Sequence, residues 1–163
     1  EDDLQTITKR ENYFLDVWQN KAPGMVVEEM SQEVREKIET AVGKPFTLKE
    51  RWAMGGIGSS KLVISSTSID IHNLLILDNN RNTCNVELRP KGIILRFRSL
   101  LETYALIIPY YKLTLYKGKA EEYSIYKDQQ FIKVIADTKA THKFFSKLSA
   151  EKAKNQAPGI EDL

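Results

Sequence analysis

The sequence predicts an α+β fold in which an antiparallel sheet, or a partly open barrel of about seven strands, is closed by a C-terminal helix and preceded by N-terminal helices. Three observations support this. Between residues 61 and 136, short runs of β-branched and aromatic residues are separated by turn residues. Residues 138–152 place apolar side chains three and four positions apart, as in an amphipathic helix. Before residue 43, two stretches have the same helical spacing.

The chain of 163 residues is long enough for one domain with an appendage. We predict an N-terminal helical segment over residues 1–54 and a β unit with its C-terminal helix over residues 61–153. Residues 154–163 are expected to form a loose tail. The glycine-rich stretch 55–60 between the first two parts is the predicted joint.

Composition indicates an ordinary globular protein, with 42% hydrophobic and 28% charged residues. Cys84 is the single cysteine, so an intramolecular disulfide is excluded and a secreted disulfide scaffold is disfavoured. The longest apolar run, residues 105–108, is too short to span a bilayer, and no signal peptide opens the sequence. We therefore expect a soluble, cytoplasmic protein without a transmembrane segment.

Charge is distributed unevenly along the chain. Residues 1–60 hold 11 acidic and 8 basic side chains, for a net charge of −3, whereas residues 61–163 hold 11 acidic and 16 basic ones, for a net charge of +5. A basic second half favours an anionic partner, although a net charge of this size also serves solubility.

Two amphipathic helices are predicted before the β unit. In the first, Ile7, Phe14 and Trp18 share one face. The second is predicted from about Val27 to Ala41, after a break at residues 21–24. Both need a partner surface for their apolar faces, so self-association through these helices is one expectation.

A hairpin over residues 83–99 is the best-defined feature of the sequence. Apolar and polar residues alternate on both sides of the turn at residues 89–92. With a four-residue turn there, Leu88 faces Ile93 and Cys84 faces Phe97, which places every apolar residue of the alternation on one face. This register points Arg96 and Arg98 to the opposite face.

The remaining elements follow from similar patterns. Residues 61–71 are strand-like, and a short helical turn is predicted over residues 47–54. Asp137 or Thr138 is the expected N-cap of the C-terminal helix. Besides the two strands of the hairpin, five strands are predicted, at about residues 73–79, 104–109, 113–117, 122–126 and 131–136.

Lys91, Arg96 and Arg98 are the candidate ligand-binding residues. Two guanidinium groups on one sheet face can hold a phosphate or a carboxylate, and Lys91 lies in the adjoining turn. The alternative is an ordinary charged outer face on which Arg96 pairs diagonally with Glu87.

Support for an enzyme is weak. Asp70 and His72 would share a face of a strand, where a carboxylate beside an imidazole could serve acid–base chemistry, but a solvated strand end is the simpler interpretation. Cys84 lies on the inferred core face and lacks the exposure that a nucleophile needs. Two distant histidines and one cysteine do not make a usual zinc site. We predict no catalytic residue, no metal and no cofactor.

Two further patterns resemble parts of known binding motifs. The glycine-rich stretch at residues 55–61 lacks the Gly-Lys-Ser/Thr ending of a phosphate-binding loop, so a joint is the preferred interpretation. Six tyrosines of the second half, interleaved with lysine and arginine, could stack on single-stranded bases. They also suit ordinary strands, and nucleic-acid binding is therefore a minor hypothesis.

The order of elements carries a family resemblance. The segments "GIILRF", "ALIIPYYKLTLYKG" and "YSIYKDQQFIKV", followed by one amphipathic helix, resemble pleckstrin-homology-like (PH-like) domains, including the bacterial ones, over residues 73–152. The resemblance rests on the strand order, and no head-group motif is matched. It implies a binding platform for peptides or anionic lipid head groups.

The leading hypothesis is a non-enzymatic binding or scaffold module with a protein or peptide partner. Anionic lipid or nucleic-acid binding through the Arg96 and Arg98 face is one alternative. A small enzyme that uses Asp70 and His72 is the other.

Overall fold

A computed structural model describes residues 25–27, 32–77, 82–99, 102–118 and 121–161. The strands are β1 (Met25–Val27), β2 (Leu62–Thr67), β3 (Thr83–Arg89), β4 (Gly92–Ser99), β5 (Glu102–Pro109), β6 (Leu113–Lys117), β7 (Glu122–Lys127) and β8 (Gln130–Ile135). The α-helices of these residues are α1 (Gln32–Val42), α2 (Leu48–Met54), α3 (Ile69–Leu75) and α4 (Lys139–Glu161). A 3₁₀ turn, Tyr110–Lys112, joins β5 to β6.

The strands form one antiparallel sheet in the order β1-β5-β4-β3-β2-β8-β7-β6. Two meanders, β3 to β5 and β6 to β8, are joined by β2, which pairs with β3 on one side and β8 on the other. The terminal strands β1 and β6 do not pair with each other, so the sheet is open. The α+β class and the antiparallel sheet with a C-terminal helix are confirmed.

The predicted hairpin register is confirmed. Cys84 pairs with Phe97, and Leu88 pairs with Ile93. The alternating apolar residues that the register places on one face belong to the main core: Cys84, Val86, Leu88, Ile93, Leu95 and Phe97. At the turn, a Cβ on Gly92 would lie 2.4 Å from the carbonyl oxygen of Ile108, so only glycine fits between β5 and the end of α1.

Helix α4 covers the inner face of the sheet. Phe144, Phe145 and Leu148 are buried in the main core, at the three- and four-residue spacing that predicted this helix. Phe145 stacks on Tyr123 with ring centroids 4.1 Å apart. Burying one such aromatic ring stabilises the fold by about 1.5–3 kcal/mol.

Helix α1 covers part of the outer face. Its Val34 and Val42 form a second buried cluster with Ile94, Ala105 and Ile107 of β4 and β5. Those three strand residues alternate with the main-core residues, so both faces of β4 and β5 are buried. This explains the nearly continuous apolar runs of these two strands.

The predicted strand at 73–79 is wrong, because residues 69–75 form helix α3. The strand that takes its place in the sheet is β2, within the stretch 61–71. Three apolar residues of α3, Ile71, Leu74 and Leu75, are buried at helical spacing. The pattern of a short apolar run is compatible with a strand or a helix. Here packing of these residues against the core selects the helix.

The second predicted helix begins later than its pattern suggests. It starts at Gln32, and Met25–Val27 instead pair with β5 as strand β1. Valines suit an edge strand, and the neighbouring strand supplies the hydrogen bonds. The first predicted helix, around residues 7–18, lies outside the described residues.

Helix α2 forms where a short helical turn is predicted, and α4 begins after one of its two predicted N-caps. Thr47 and Glu50 form a capping box at the start of α2, and Gly55 ends it in a left-handed conformation with φ 71°. The Thr138 hydroxyl accepts the Thr141 amide at 3.2 Å, so Thr138 caps α4. The helix continues to Glu161, so residues 154–161 are helical and the predicted loose tail is wrong there.

Candidate functional site

The outer face of β3 and β4 carries an arginine–glutamate network centred on Glu87. Its carboxylate accepts a hydrogen bond from Nη1 of Arg96 at 2.9 Å and another from Nε of Arg89. Arg89 also donates through Nη1 to the carbonyl oxygen of Gly43 at 3.0 Å, just after helix α1. The network therefore holds the end of α1 against the sheet.

Electrostatics support a structural role for this network. Burial by itself would raise the pKa of Glu87, but hydrogen bonds and charge from Arg89 and Arg96 outweigh that effect and lower it. Glu87 is thus held as an anion between two cations. The diagonal pairing of Arg96 with Glu87, which was the alternative to a ligand site, is present.

Lys91 is exposed but lies away from Arg96 and Arg98, the other two candidate ligand-binding residues. It occupies the turn between β3 and β4, where its amide donates to the carbonyl of Val42 and its carbonyl accepts the amide of Tyr110. Arg98 lies six residues beyond Gly92 on β4, or about 20 Å away at 3.3 Å per residue. Lys91 and Arg98 therefore belong to opposite ends of the hairpin.

Arg98 is exposed at the end of β4, next to the residue that binds the end of α3. The neighbouring Ser99 hydroxyl donates to the carbonyl of Leu74. Ile76 and Leu77, which follow α3, are 58% and 56% exposed. The exposed residues after α3 thus lie at the same end of the sheet as Arg98, although the side chain of Arg98 points to the outer face, opposite to that of Ser99. The sequence pattern did not suggest this arrangement, because it predicts a strand over residues 73–79.

The Asp70–His72 pair required by the enzyme hypothesis is not formed. Both residues lie on helix α3, where residues two apart point about 200° away from each other. Asp70 instead accepts a hydrogen bond at 2.8 Å from Nε2 of Gln130, whose Oε1 accepts the Ser68 hydroxyl at 2.6 Å. This network anchors the start of α3 to β8.

Cys84 is buried in the core, as predicted. Burial raises the pKa of its thiol to about 12, so the thiol stays protonated and unreactive at neutral pH. Within the part of the chain that the structure describes, no cluster of three or more histidine, cysteine, aspartate or glutamate side chains is arranged to hold a metal ion.

The glycine-rich stretch is bonded to the sheet and to helix α4. The amide of Ser59 donates to the carbonyl of Val86 at 2.8 Å, and the carbonyl of Ile57 accepts the amide of Leu88 at 2.8 Å. Nζ of Lys147 lies 3.1 Å from the carbonyl oxygen of Gly56. Through these contacts, residues 57–59 pair with β3 next to β2. The glycine-rich stretch is therefore held against the sheet, which its interpretation as a flexible joint did not include.

The tyrosines do not form a continuous stacking surface. Tyr104 is buried and stacks on Phe97, and Tyr110 is buried with its hydroxyl donating to the Arg89 carbonyl at 3.0 Å. Tyr111 and Tyr116 are strongly exposed, at 78% and 63%. Because some of the tyrosines are in the core and others on the surface, fewer of them are accessible for base stacking than the sequence suggests.

The edge of the sheet at β6 is a feature that the sequence analysis overlooked. Among the described strands, β6 is the last in the sheet order and pairs with β7 alone. β7 and β8 are joined by a two-residue turn between Lys127 and Gln130. Hydrogen-bonded pairs alternate along the strands from such a turn, so the backbone groups of Leu115 and Lys117 face away from β7. Leu113, at the start of β6, already donates its amide to the carbonyl of Tyr110.

Comparisons with models of protein families, with curated proteins and with solved structures give no match. Among the described residues, no helix combines the length and the apolar composition needed to cross a bilayer.

Proposed function

We propose that this chain is a non-enzymatic binding module that takes up an extended peptide segment of a protein partner along the edge of β6. The observation that carries the proposal is this strand edge. Outward-facing backbone N–H and C=O groups on an edge strand are a template for another strand. Peptide recognition by strand addition uses these groups for affinity and side-chain pockets for specificity.

The side chains of β6 suit such a partner. Tyr116 is 63% exposed and presents an aromatic ring on the outer side of the strand. Lys117 is exposed at the end of the strand, with Nζ 5.9 Å from the centre of the Tyr123 ring. The Tyr116 ring and the Lys117 ammonium group both lie beside the open edge. They would contact side chains of a peptide that pairs with β6, and Lys117 would attract its acidic groups.

The strand order supports a finer proposal about the fold. From β2 to β8 the chain supplies seven strands, with helix α3 between β2 and β3, and helix α4, packed on the core, follows them. This is the element order that resembles PH-like barrels, a superfamily that includes peptide-binding platforms. We propose a PH-like unit on that basis, with peptides as the ligand class.

The test is a selection from a random peptide library displayed on phage, followed by binding measurements with purified peptides. Lys117→Pro removes an outward-facing N–H without removing a bond to β7, since proline is tolerated at such edge positions. Lys117→Ala is the matched control, which loses the same side chain and keeps the N–H. We expect Lys117→Pro to weaken binding at least about tenfold and Lys117→Ala to change it less than about threefold.

Amide hydrogen exchange supplies the second readout. The outward amides of Leu115 and Lys117 should become protected when a selected peptide binds. If selected peptides protect other strands, or bind Lys117→Pro as well as the parent, the edge of β6 is not the site and the proposal is wrong.

A second candidate function is association with an anionic membrane at the end of the sheet near Arg98. The observation that favours it is that Arg98 and the exposed Ile76 and Leu77 lie at the same end of the sheet. Apolar side chains that enter the interface and a cation near anionic head groups act together in peripheral membrane binding. Lys91 and Arg96 are not part of this surface.

Vesicle co-sedimentation tests this candidate. Binding to vesicles with phosphatidylserine should exceed binding to neutral phosphatidylcholine vesicles, and it should fall with Arg98→Glu. Lys91→Glu is the control, because it makes the same charge change at the other end of the hairpin. An equal loss of vesicle binding in both variants would show that binding depends on net charge and not on this surface.

A further inference from the structure

Helix α2 lies beside the turn between β3 and β4. The carbonyl of Val42, at the end of α1, accepts the amide of Lys91 at 2.9 Å. The chain comes back to the hairpin at Ile57, whose carbonyl accepts the amide of Leu88 at 2.8 Å. Because Leu88 and Lys91 are three residues apart, residues 43–56 form an excursion that leaves and rejoins the hairpin at the same end.

This helix presents the two most exposed large apolar side chains of the described residues. Trp52 is 90% exposed and Leu48 is 82% exposed. They are four residues apart, so they lie on one face of the helix. The capping box at Thr47 and the left-handed Gly55 fix both ends of the helix, which holds this apolar face in a defined place.

A third exposed ring lies beside the same turn. Tyr111 is 78% exposed, in the 3₁₀ turn that joins β5 to β6. The amide of the preceding Tyr110 donates to the carbonyl of Lys91 at 2.9 Å, so the two turns are in contact. Exposed apolar side chains are therefore concentrated around the β3–β4 turn.

The charges around α2 are mainly basic. Residues 43–61 hold four basic side chains and one acidic one, for a net charge of +3. Lys147 of α4 adds a cation, with Nζ 3.1 Å from the carbonyl oxygen of Gly56. The acidic residue, Glu50, is engaged in the capping box, where it accepts the amide of Thr47 at 3.0 Å. An apolar face in these surroundings favours an anionic partner.

The exposed apolar area is small for a protein–protein interface. One leucine and two aromatic side chains present roughly 500 Å² together. A stable interface buries about 800 Å² on each partner. A second copy of the chain would also bring the same basic charge into the contact, which is unfavourable. A lipid bilayer sets no such minimum, because each apolar side chain enters it separately.

The chemistry of a bilayer surface matches this set of side chains. Tryptophan and tyrosine rings prefer the interface of a membrane, where the ring meets acyl chains and its polar group stays hydrated. Leucine adds apolar area at the same depth. Lysine and arginine are attracted to anionic head groups.

We propose that α2 and the adjoining turns bind the surface of an anionic lipid bilayer, with Leu48, Trp52 and Tyr111 at the level of the head groups. This surface is independent of the peptide site, because peptides bind the backbone of β6 and are tested in a separate assay. It competes with the Arg98 surface for the same kind of partner. The two surfaces lie at opposite ends of the hairpin, and a flat bilayer meets one of them.

Fluorescence with vesicles tests insertion directly. In a Trp18→Phe background, Trp52 is the single tryptophan of the chain. Vesicles of phosphatidylserine and phosphatidylcholine should shift its emission maximum to the blue, and brominated phosphatidylcholine in the same vesicles should quench it. Vesicles of phosphatidylcholine alone should do much less of both at the same lipid concentration.

Apolar substitutions locate the surface by co-sedimentation with the phosphatidylserine vesicles. Trp52→Ala should weaken binding at least about tenfold. Ile76→Ala is the matched control, since it removes a 58% exposed apolar side chain at the other end of the hairpin. It should change binding less than about threefold. Circular dichroism checks that each variant stays folded.

Charge substitutions give an independent readout. Lys49 is exposed next to Leu48, and Lys49→Glu should weaken binding to phosphatidylserine vesicles at least about tenfold. Arg98→Glu makes the same charge change at the opposite end of the hairpin and should weaken it less than about threefold. Added sodium chloride should lower the binding of the parent, because salt screens the attraction between lysines and head groups.

Three results would contradict the proposal. The first is that the parent does not bind phosphatidylserine vesicles. The second is binding that persists in Trp52→Ala and Lys49→Glu but is lost in Ile76→Ala and Arg98→Glu, which would assign the contact to the Arg98 surface. The third is binding without a blue shift of Trp52 or quenching by the brominated lipid, because Trp52 would then stay in water or inside the protein.

Discussion

Nη1 of Arg96 lies 2.9 Å from Oε1 of Glu87. Glu87 is on the neighbouring strand, two residues beyond the residue that pairs with Arg96. Arg96 pairs across the hairpin with Asn85, so its contact with Glu87 is diagonal. Arg89 binds the same carboxylate from the other side. The outer face of the hairpin therefore uses Arg96 to stabilise the sheet, whereas Arg98 projects into solvent.

Arg96 and Arg98 should respond differently to replacement. Arg96→Met leaves the half-buried carboxylate of Glu87 with one cation fewer, so we expect the free energy of unfolding to fall by about 1 kcal/mol. Arg98→Met should change it by less than about 0.5 kcal/mol. Urea denaturation of both variants measures the difference, and equal losses would show that the Glu87 contact contributes nothing.

Glu87 should make stability depend on acid pH. Its pKa in the folded protein is lowered by Arg89 and Arg96 against the effect of burial. The ionised carboxylate therefore stabilises the fold above the unfolded pKa of about 4.3, and this contribution is lost as the pH falls through the lower folded pKa.

Glu87→Gln is the reference for this measurement. The parent should be more stable than the variant at pH 7, and its advantage should shrink at acid pH, from below about 4.3. Urea denaturation at a series of pH values gives the difference directly. An advantage that stays constant down to pH values where the variant and parent both unfold would contradict a lowered pKa.

Lys127 should also make stability rise with pH, but in the alkaline range. It is 5% exposed, and burial together with the charge of Lys112 lowers its pKa to about 8, while Asp128 raises it in part. Between about pH 8 and the unfolded value of about 10.4, the unfolded chain binds more protons, so stability rises with pH. Comparison with Lys127→Met isolates this group, because other titrations are common to both proteins.

The expected result is that the parent gains stability relative to Lys127→Met as the pH rises from 7 to 10. Thermal or urea unfolding at fixed ionic strength measures the gain. A flat difference across this range would mean that Lys127 has an ordinary pKa in the folded protein.

Gly92 should be intolerant of a side chain for steric reasons. The position of its Cβ lies 2.6 Å from Cγ1 of Val42 and 2.4 Å from the carbonyl oxygen of Ile108. Gly92→Ala must displace α1 or β5 and should cost about 1–3 kcal/mol. Gly58→Ala is the control, because no atom lies within 4 Å of its Cβ position, and it should cost less than about 0.5 kcal/mol.

The hairpin could be predicted in detail because its information is local. Alternation on both strands and the turn at Pro90 together admit one register that buries Cys84, Val86 and Leu88 on the same face. The apolar spacing of Phe144, Phe145 and Leu148 located the C-terminal helix for the same reason, although its length to Glu161 was underestimated.

Other elements depended on distant partners and could not be derived in this way. Residues 69–75 form a helix because Ile71, Leu74 and Leu75 pack into the core, and Ser99 binds the end of that helix from β4. The same short apolar run suits a strand. Asp70 and His72 were predicted to share a face only if they lie in a strand, and on a helix they do not.

The sequence by itself determined the hairpin register, the buried position of Cys84 and the outward direction of Arg96 and Arg98. These follow from side-chain alternation, a property of each strand alone. Only the tertiary structure decided that Arg96 is bound to Glu87, that Lys91 and Arg98 lie at opposite ends, and that β6 is an open edge. Each of these depends on which strands and helices become neighbours, and that is set by packing between residues far apart in the chain.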